Sequence, residues 1–316
     1  MTPVAVLITI ASYFLILFTI SYIAGRKADN EGFFVGNRKS AWYVVAFAMI
    51  GSSISGVTFV SVPGMVGISN FSYLQMVLGF VTGQIIIAFV LIPLFYRMNL
   101  VSIYEYLENR FGTSSYKTGA WFFFISKILG AAVRLYLVCL TLQLLVFEPF
   151  HMPFIMNVIL TVALVWLYTF RGGVKSLIWT DSLKTFCLIV SVVLCIYYIS
   201  TDLKLSFTEM FSTVSDSALS HMFFFDNVND KRYFFKQFLA GVFTMIAMTG
   251  LDQDMMQRNL SCKNFKDSQK NMITSGISQF FIILLFLMLG VLLYTFTSHH
   301  CLLYTSPSPR DMRRSR

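Results

Sequence analysis

Apolar runs separated by short polar links recur along the whole chain, at about 4–24, 41–65, 73–96, 118–147, 153–170, 174–200, 236–257 and 271–297. A run of about 20 apolar residues coils into a helix long enough to cross the roughly 30 Å hydrocarbon core of a bilayer. The pattern therefore predicts an all-α, polytopic membrane protein with about eight transmembrane helices. The links alternate in charge. Residues 25–40 carry Arg26, Lys27, Arg38 and Lys39, residues 97–117 carry Arg97, Arg110 and Lys117, and residues 66–72 and 148–152 carry no Lys or Arg. Arg171 and Lys175 continue the alternation, and Arg258, Lys263, Lys266 and Lys270 precede the eighth run. Basic links mark the cytoplasmic side, which places the N-terminus outside. The 201–235 link carries Asp202, Glu209, Asp216, Asp226 and Asp230 against Lys204, Lys231 and Arg232, and reads as an external loop with a short amphipathic segment.

Composition agrees with a lipid solvent. Hydrophobic residues make up 56% of the 316 and charged residues only 12%, with a mean hydropathy of +0.70; soluble domains carry about 25% charged residues. A soluble enzyme, a disordered chain and a collagen-like fibre are excluded. The net charge of +9 then reports topology rather than a nucleic-acid partner. Cys139, Cys187, Cys195, Cys262 and Cys301 are odd in number and lack CxxC spacing, so neither a disulfide framework nor a metal site is expected. The opening run has no Lys or Arg before Arg26 and no cleavage pattern, and reads as a retained first span. From about residue 301 the string CLLYTSPSPRDMRRSR resembles translated adaptor sequence and is treated as a non-native tail; without its four arginines and one aspartate the charge is +6. The chain is then expected to be a C-terminally truncated piece of a longer protein.

Candidate chemistry starts in the second run, at Gly51-Ser52-Ser53-Ile54-Ser55-Gly56 with Thr58, Ser61, Pro63 and Gly64. Glycine is entropically costly in a helix, and serine offers bonds that compete with the helix ladder, so this span is predicted to unwind at its middle. A break at membrane depth is tolerated where it lines a cavity, and its released carbonyls suit a small cation. The alternative is close packing of two helices through small residues. In the fourth run Ser126, Gly130 and Arg134 share one stripe, expected to face the bundle, and Arg134 is a candidate clamp for a carboxylate. An internal acidic partner or snorkelling is the alternative for Arg134, and snorkelling is the expectation for Lys127. Asp181, about two turns into the sixth run, reads as a Na+ ligand or as a local i, i+3 partner of Lys184. Asp254 and Arg258 form an i, i+4 pair, while Gln75 and Gln84 suit bonds across a bundle. No HExxH, GxSxG, Walker or GxGxxG motif is present, so no enzyme is expected.

Four motifs in order carry a resemblance: the broken GSSISGVTFVSVPG helix, Ser102-Ile103-Tyr104-Glu105-Tyr106-Leu107 leading to Arg110-Phe111-Gly112, the Gly172-Gly173 to Trp179-Thr180-Asp181 helix start, and Gln257-Arg258-Asn259-Leu260-Ser261-Cys262-Lys263. Together they cover about 4–297 and resemble the sodium:solute symporter family. The resemblance implies a LeuT-like fold of two inverted five-helix repeats behind one extra helix. It divides the chain into 1–40 (extra helix and cytoplasmic link), 41–200 (first repeat), 201–235 (external loop), 236–300 (two helices of a truncated second repeat) and the tail 301–316. It implies Na+ on the main-chain carbonyls of Gly51 and Ile54, completed by hydroxyls of a later helix that this chain does not contain. It further implies solute contacts from Ser53, Ser55, Thr58 and Gln75. Arg134 is similar to the arginine that binds the carboxylate in the sialic-acid branch, and Asp181 to an acid used there for an additional sodium. Met248 and Thr249 replace the aromatic gate of the sugar branch, which favours an acidic solute over a neutral hexose.

The expected function is Na+-coupled import of a small polar, carboxylated solute such as sialic acid, in a bacterial inner membrane. Na+ is the co-transported ion, with no organic cofactor. The partners are the solute and the lipid bilayer, with no nucleic acid and no obligate protein partner. The competing readings are a transporter-like sensor domain of a signalling protein and a membrane enzyme.

Overall fold

The computed structural model describes residues 3–25, 40–98, 100, 102–169 and 173–299. Arg26, Lys27, Arg38 and Lys39 of the first link, Arg171, and the tail from 301 lie outside the described residues. Apart from an isolated bridge between Ser40 and Cys262, the regular secondary structure among the described residues is helical. It runs α1 (Pro3–Gly25), α2 (Trp42–Ser53), α3 (Gly56–Ser69), α4 (Tyr73–Ile86), α5 (Ile92–Arg97), α6 (Ile103–Phe111), α7 (Thr113–Leu142), α8 (Phe154–Thr169), α9 (Gly173–Asp202), α10 (Phe207–Asp216), α11 (Phe234–Met245), α12 (Gln253–Asn259) and α13 (Phe265–His299). Wide π-helical turns follow three of them, at Ile87–Leu91, Gln143–Phe147 and Ile246–Gly250.

Among the described residues five helices are long and apolar enough to cross a membrane, or six when the bent pair Phe234–Gly250 and Gln253–Asn259 is one span. This is fewer than the eight expected. Within the predicted spans 41–65 and 153–170 the helices Trp42–Ser53 and Phe154–Leu167 are apolar but short, and Gly56–Arg97 counts as one run of 42 residues. The apolar run 236–257, expected as one helix, is broken. The structure turns its axis by 74° between Gly250 and Gln253. The amphipathic segment of the external loop is α10, opened by a capping box in which the Ser206 N–H donates to Glu209 Oε2 at 2.7 Å. Lys266 and Lys270, expected before the last helix, lie in its first two turns.

Two compact units divide the chain, each drawn from three stretches. The first comprises Met1–Ser53, Gln84–Thr185 and Ile246–Ser275. Its core gathers Val45, Ala48 and Met49 of α2, Ile92 and Phe95 of α5, Ile178 of α9, Met256 of α12 and Met272 of α13, all at most 2% exposed. Here α6 folds onto α7, and α1 packs on α8. α6 is delimited as its sequence suggests: Ser102 Oγ accepts the Tyr104 N–H at 3.1 Å, and Gly112 ends it at φ +87°, a conformation that disfavours a side chain. The link after α12 is pinned by the Ser40 N–H, which donates to the Ser261 carbonyl at 3.2 Å.

The second unit comprises Ile54–Gly83, Phe186–Met245 and Gly276–Arg316. Its α4 and α11 cross backbone to backbone: a Cβ on Gly79 would fall on the Phe238 carbonyl, and one on Gly241 on the Met76 carbonyl. Small residues let helices approach closely where lipid offers no hydrophobic drive between them. In the external loop Arg232 grips Asp230 through two nitrogens, at 3.2 and 3.0 Å, and holds that carboxyl below the usual carboxylate range.

Candidate ion and solute site

Between α2 and α3 the helix stops for Ile54 and Ser55, with Ser55 extended at φ −109°, ψ 169°. In an unbroken helix the Ser55 N–H would bond the Gly51 carbonyl and the Thr58 N–H the Ile54 carbonyl. A capping box redirects both donors. The Ser55 N–H donates to Thr58 Oγ1 at 3.2 Å, and the Thr58 N–H turns to the Ser55 side chain. The break leaves the last four carbonyls of α2 and its end, Gly51 to Ile54, without the helical donors of an unbroken ladder, and Gly51 and Ile54 are among them. Ser55 and Thr58 are half-buried and brought together by the cap, with their hydroxyls 3.4 Å apart, while Ser53 is exposed.

Gly51 sits against α9. A Cβ there would fall on Thr185 Oγ1 and lie 2.5 Å from the Asp181 carbonyl. Hydroxyls bind the two helices together: Thr185 Oγ1 donates to the Phe47 carbonyl at 2.7 Å, and Ser182 Oγ is 3.4 Å from the Val44 carbonyl. Gly51 and Asp181 are therefore neighbours, which their separation in sequence does not reveal.

The Asp181 side chain is buried and doubly paired. Its Oδ1 accepts from Lys184 Nζ at 2.8 Å, the local pair weighed from the sequence, and its Oδ2 accepts from Arg258 of α12. Arg258 also donates to Asp254 Oδ1 at 3.2 Å. Lys127 of α7, expected to snorkel, is instead 2.7 Å from Asp252 and 4.0 Å from Asp254. Asp252 caps α12 by accepting the Met255 N–H at 3.2 Å. Three acids and three bases from α7, α9 and α12 thus form one neutral network. The membership of Arg258, Lys127 and Asp252, and the second break, go beyond what the sequence predicts. The available signal was an N-cap aspartate after Thr249-Gly250.

Gln75 is fully buried and committed to the external loop: its Nε2 donates to the Arg232 carbonyl at 2.8 Å, and its Oε1 accepts the Phe224 N–H at 3.2 Å. The Arg232 guanidinium lies 4.4 Å above the Phe224 ring. Arg134 is exposed at one end of a groove lined by Phe122, Ile125, Ser126, Leu129, Gly130 and Val133, all of its own helix. The stripe expected to face the bundle is thus an open face among the described residues.

The model of the sodium:solute symporter family matches residues 33–306. The chain is 25% identical over 272 residues to sodium-coupled monocarboxylate transporter 2 of Homo sapiens, covering 85% of this chain and 43% of that protein. It is 26% identical over 269 residues to the sodium/sialic acid symporter NanT of Aliivibrio fischeri, covering 81% and 50%. The chain spans about half the length of these curated relatives. Among solved structures, it is similar to the substrate-bound outward-open state of a Na+-coupled sialic acid symporter. The TM-score is 0.79 at 21% identity, over 92% of this chain and 60% of that one.

Proposed function

The chain belongs to the sodium:solute symporter family, and from that premise we propose that the complete protein couples inward Na+ movement to uptake of a small polar, carboxylated solute by alternating access. The observation that carries this reading is the capping exchange at Ser55 and Thr58, which releases the Gly51 and Ile54 carbonyls. Unwound carbonyls at membrane depth coordinate Na+ in broken-helix transporters. Na+ there offsets their partial charge and favours the solute-competent state, so each ligand strengthens binding of the other. Ser53, Ser55 and Thr58 face the solute in this reading; the two capping hydroxyls keep acceptor capacity beyond the cap. Gln75 acts on the solute by holding the external loop.

Arg134 is the clamp for the carboxylate, through the fork that guanidinium offers to two oxygens. Two of the relatives are named for sialic acid and for monocarboxylates, which are both carboxylate solutes. The chain is a multi-pass membrane protein of LeuT-like fold. Eight spans follow if 42–69 and 234–259 are each one broken span and 56–97 is divided at Asn70, whose φ is +54°. A single 42-residue helix would be about 63 Å long, twice the bilayer core. The divisions 1–40, 41–200, 201–235, 236–300 and 301–316, and an external N-terminus, belong to the same proposal. The relatives come from a bacterium and from animals, so the proposal names a multi-pass membrane site with a bacterial inner membrane as one host.

Uptake of labelled sialic acid and of short monocarboxylates into proteoliposomes holding the complete protein tests the reading. Uptake is expected under an inward Na+ gradient and is expected to vanish when choline replaces Na+; equal uptake in both would remove the symport reading. Arg134→Ala is expected to raise KM for the carboxylate solute by about tenfold to a hundredfold, the loss of a charge-assisted bond. Unchanged uptake kinetics would retire the clamp.

A further inference from the structure

Both oxygens of the Asp181 carboxylate are occupied by the protein's own cations, Lys184 on Oδ1 at 2.8 Å and Arg258 on Oδ2. The two cations are held very differently. Arg258 has a side chain only 9% exposed and is shared with Asp254 at 3.2 Å. Lys184 has a side chain 38% exposed and, among the described residues, has Asp181 as its one ion-pair partner within 4 Å. The cluster of Asp181, Asp252, Asp254, Lys127, Lys184 and Arg258 is neutral as it stands. An arriving Na+ would bring a fourth positive charge to three carboxylates, and an uncompensated buried charge is costly. Neutrality is kept if one resident cation leaves. A half-exposed ammonium on a flexible stem can turn to water at little cost, whereas a buried, doubly bonded guanidinium cannot.

We propose that Lys184 is an exchangeable tethered cation: its ammonium occupies the Asp181 oxygen that Na+ takes, and Na+ binding there displaces it. The proposal rests on the symport reading and adds to it a residue that sets Na+ affinity at Asp181. Arg258 remains in place as the fixed counter-ion. The exchange is one positive charge for another, so the network stays neutral in both states.

The test is thermal unfolding of the complete protein in detergent across a NaCl series, with choline chloride holding ionic strength constant. For Lys184→Gln the Na+ concentration giving half of the stabilisation is expected to fall about tenfold, because the competing occupant is gone. Lys184→Arg is expected to keep the wild-type midpoint or raise it. In an Asp181→Asn/Arg258→Met background, adding Lys184→Gln is expected to leave the midpoint where it was. A Lys184→Gln protein with the wild-type midpoint, or one destabilised equally in Na+ and choline, overturns the proposal while leaving symport intact. A wild type that shows neither Na+-dependent stabilisation nor Na+-dependent uptake overturns the symport reading itself.

Discussion

Arg258→Met is expected to destabilise the protein by about 3–5 kcal/mol, read as a lower Tm of the purified protein in detergent. The guanidinium is the buried partner of Asp181 and is shared with Asp254. Removing it leaves the buried Asp181 carboxylate with the half-exposed Lys184 alone. Breaking a buried pair from one side costs more than replacing both sides, because the survivor keeps its desolvation penalty without its partner. The double variant Asp181→Asn/Arg258→Met is therefore expected to recover more than half of the loss. A double variant as unstable as the single one would show that Arg258 matters through packing rather than charge.

Gly51→Val is expected to cost about 3 kcal/mol and to weaken Na+-dependent stabilisation in the same protein, while Gly51→Ala is expected to fall between it and the wild type. Alanine gains about 1 kcal/mol of helix propensity over glycine. That gain does not prevail, because the added Cβ falls on Thr185 Oγ1 and lies 2.5 Å from the Asp181 carbonyl, atoms of a helix that cannot yield like a flexible side chain. Relief requires α2 to move off α9, which loses the 2.7 Å bond from Thr185 to the Phe47 carbonyl and shifts the helix end that presents the Gly51 oxygen. Thermal unfolding in NaCl against choline chloride checks both parts. A Gly51→Val protein with wild-type Tm and Na+ response would show that α2 does not need this approach.

The break at Ile54–Ser55 was legible because it is local chemistry. Glycines and serines within six residues weaken the ladder, and a Ser and a Thr three apart can cap a new helix. The second break was less legible. Met248 and Leu251 keep the apolar run going, and only Asp252 signals a new helix start. Lys127 was misread for a different reason: its partner Asp252 lies on another helix far along the chain, and nothing near Lys127 in sequence points to it. Gln75 was legible as a residue that bonds across elements, but not the loop carbonyl and N–H that it holds.

By itself the sequence determined that this protein dissolves in lipid, that its backbone is helical and where one helix is interrupted. Those properties follow from hydropathy and from neighbours a few residues apart. The tertiary structure alone decided which charges meet across helices. Asp181 and Arg258 are brought together by the packing of α9 and α12, and the pairing of charges on separate helices depends on distances that no periodicity along the chain encodes.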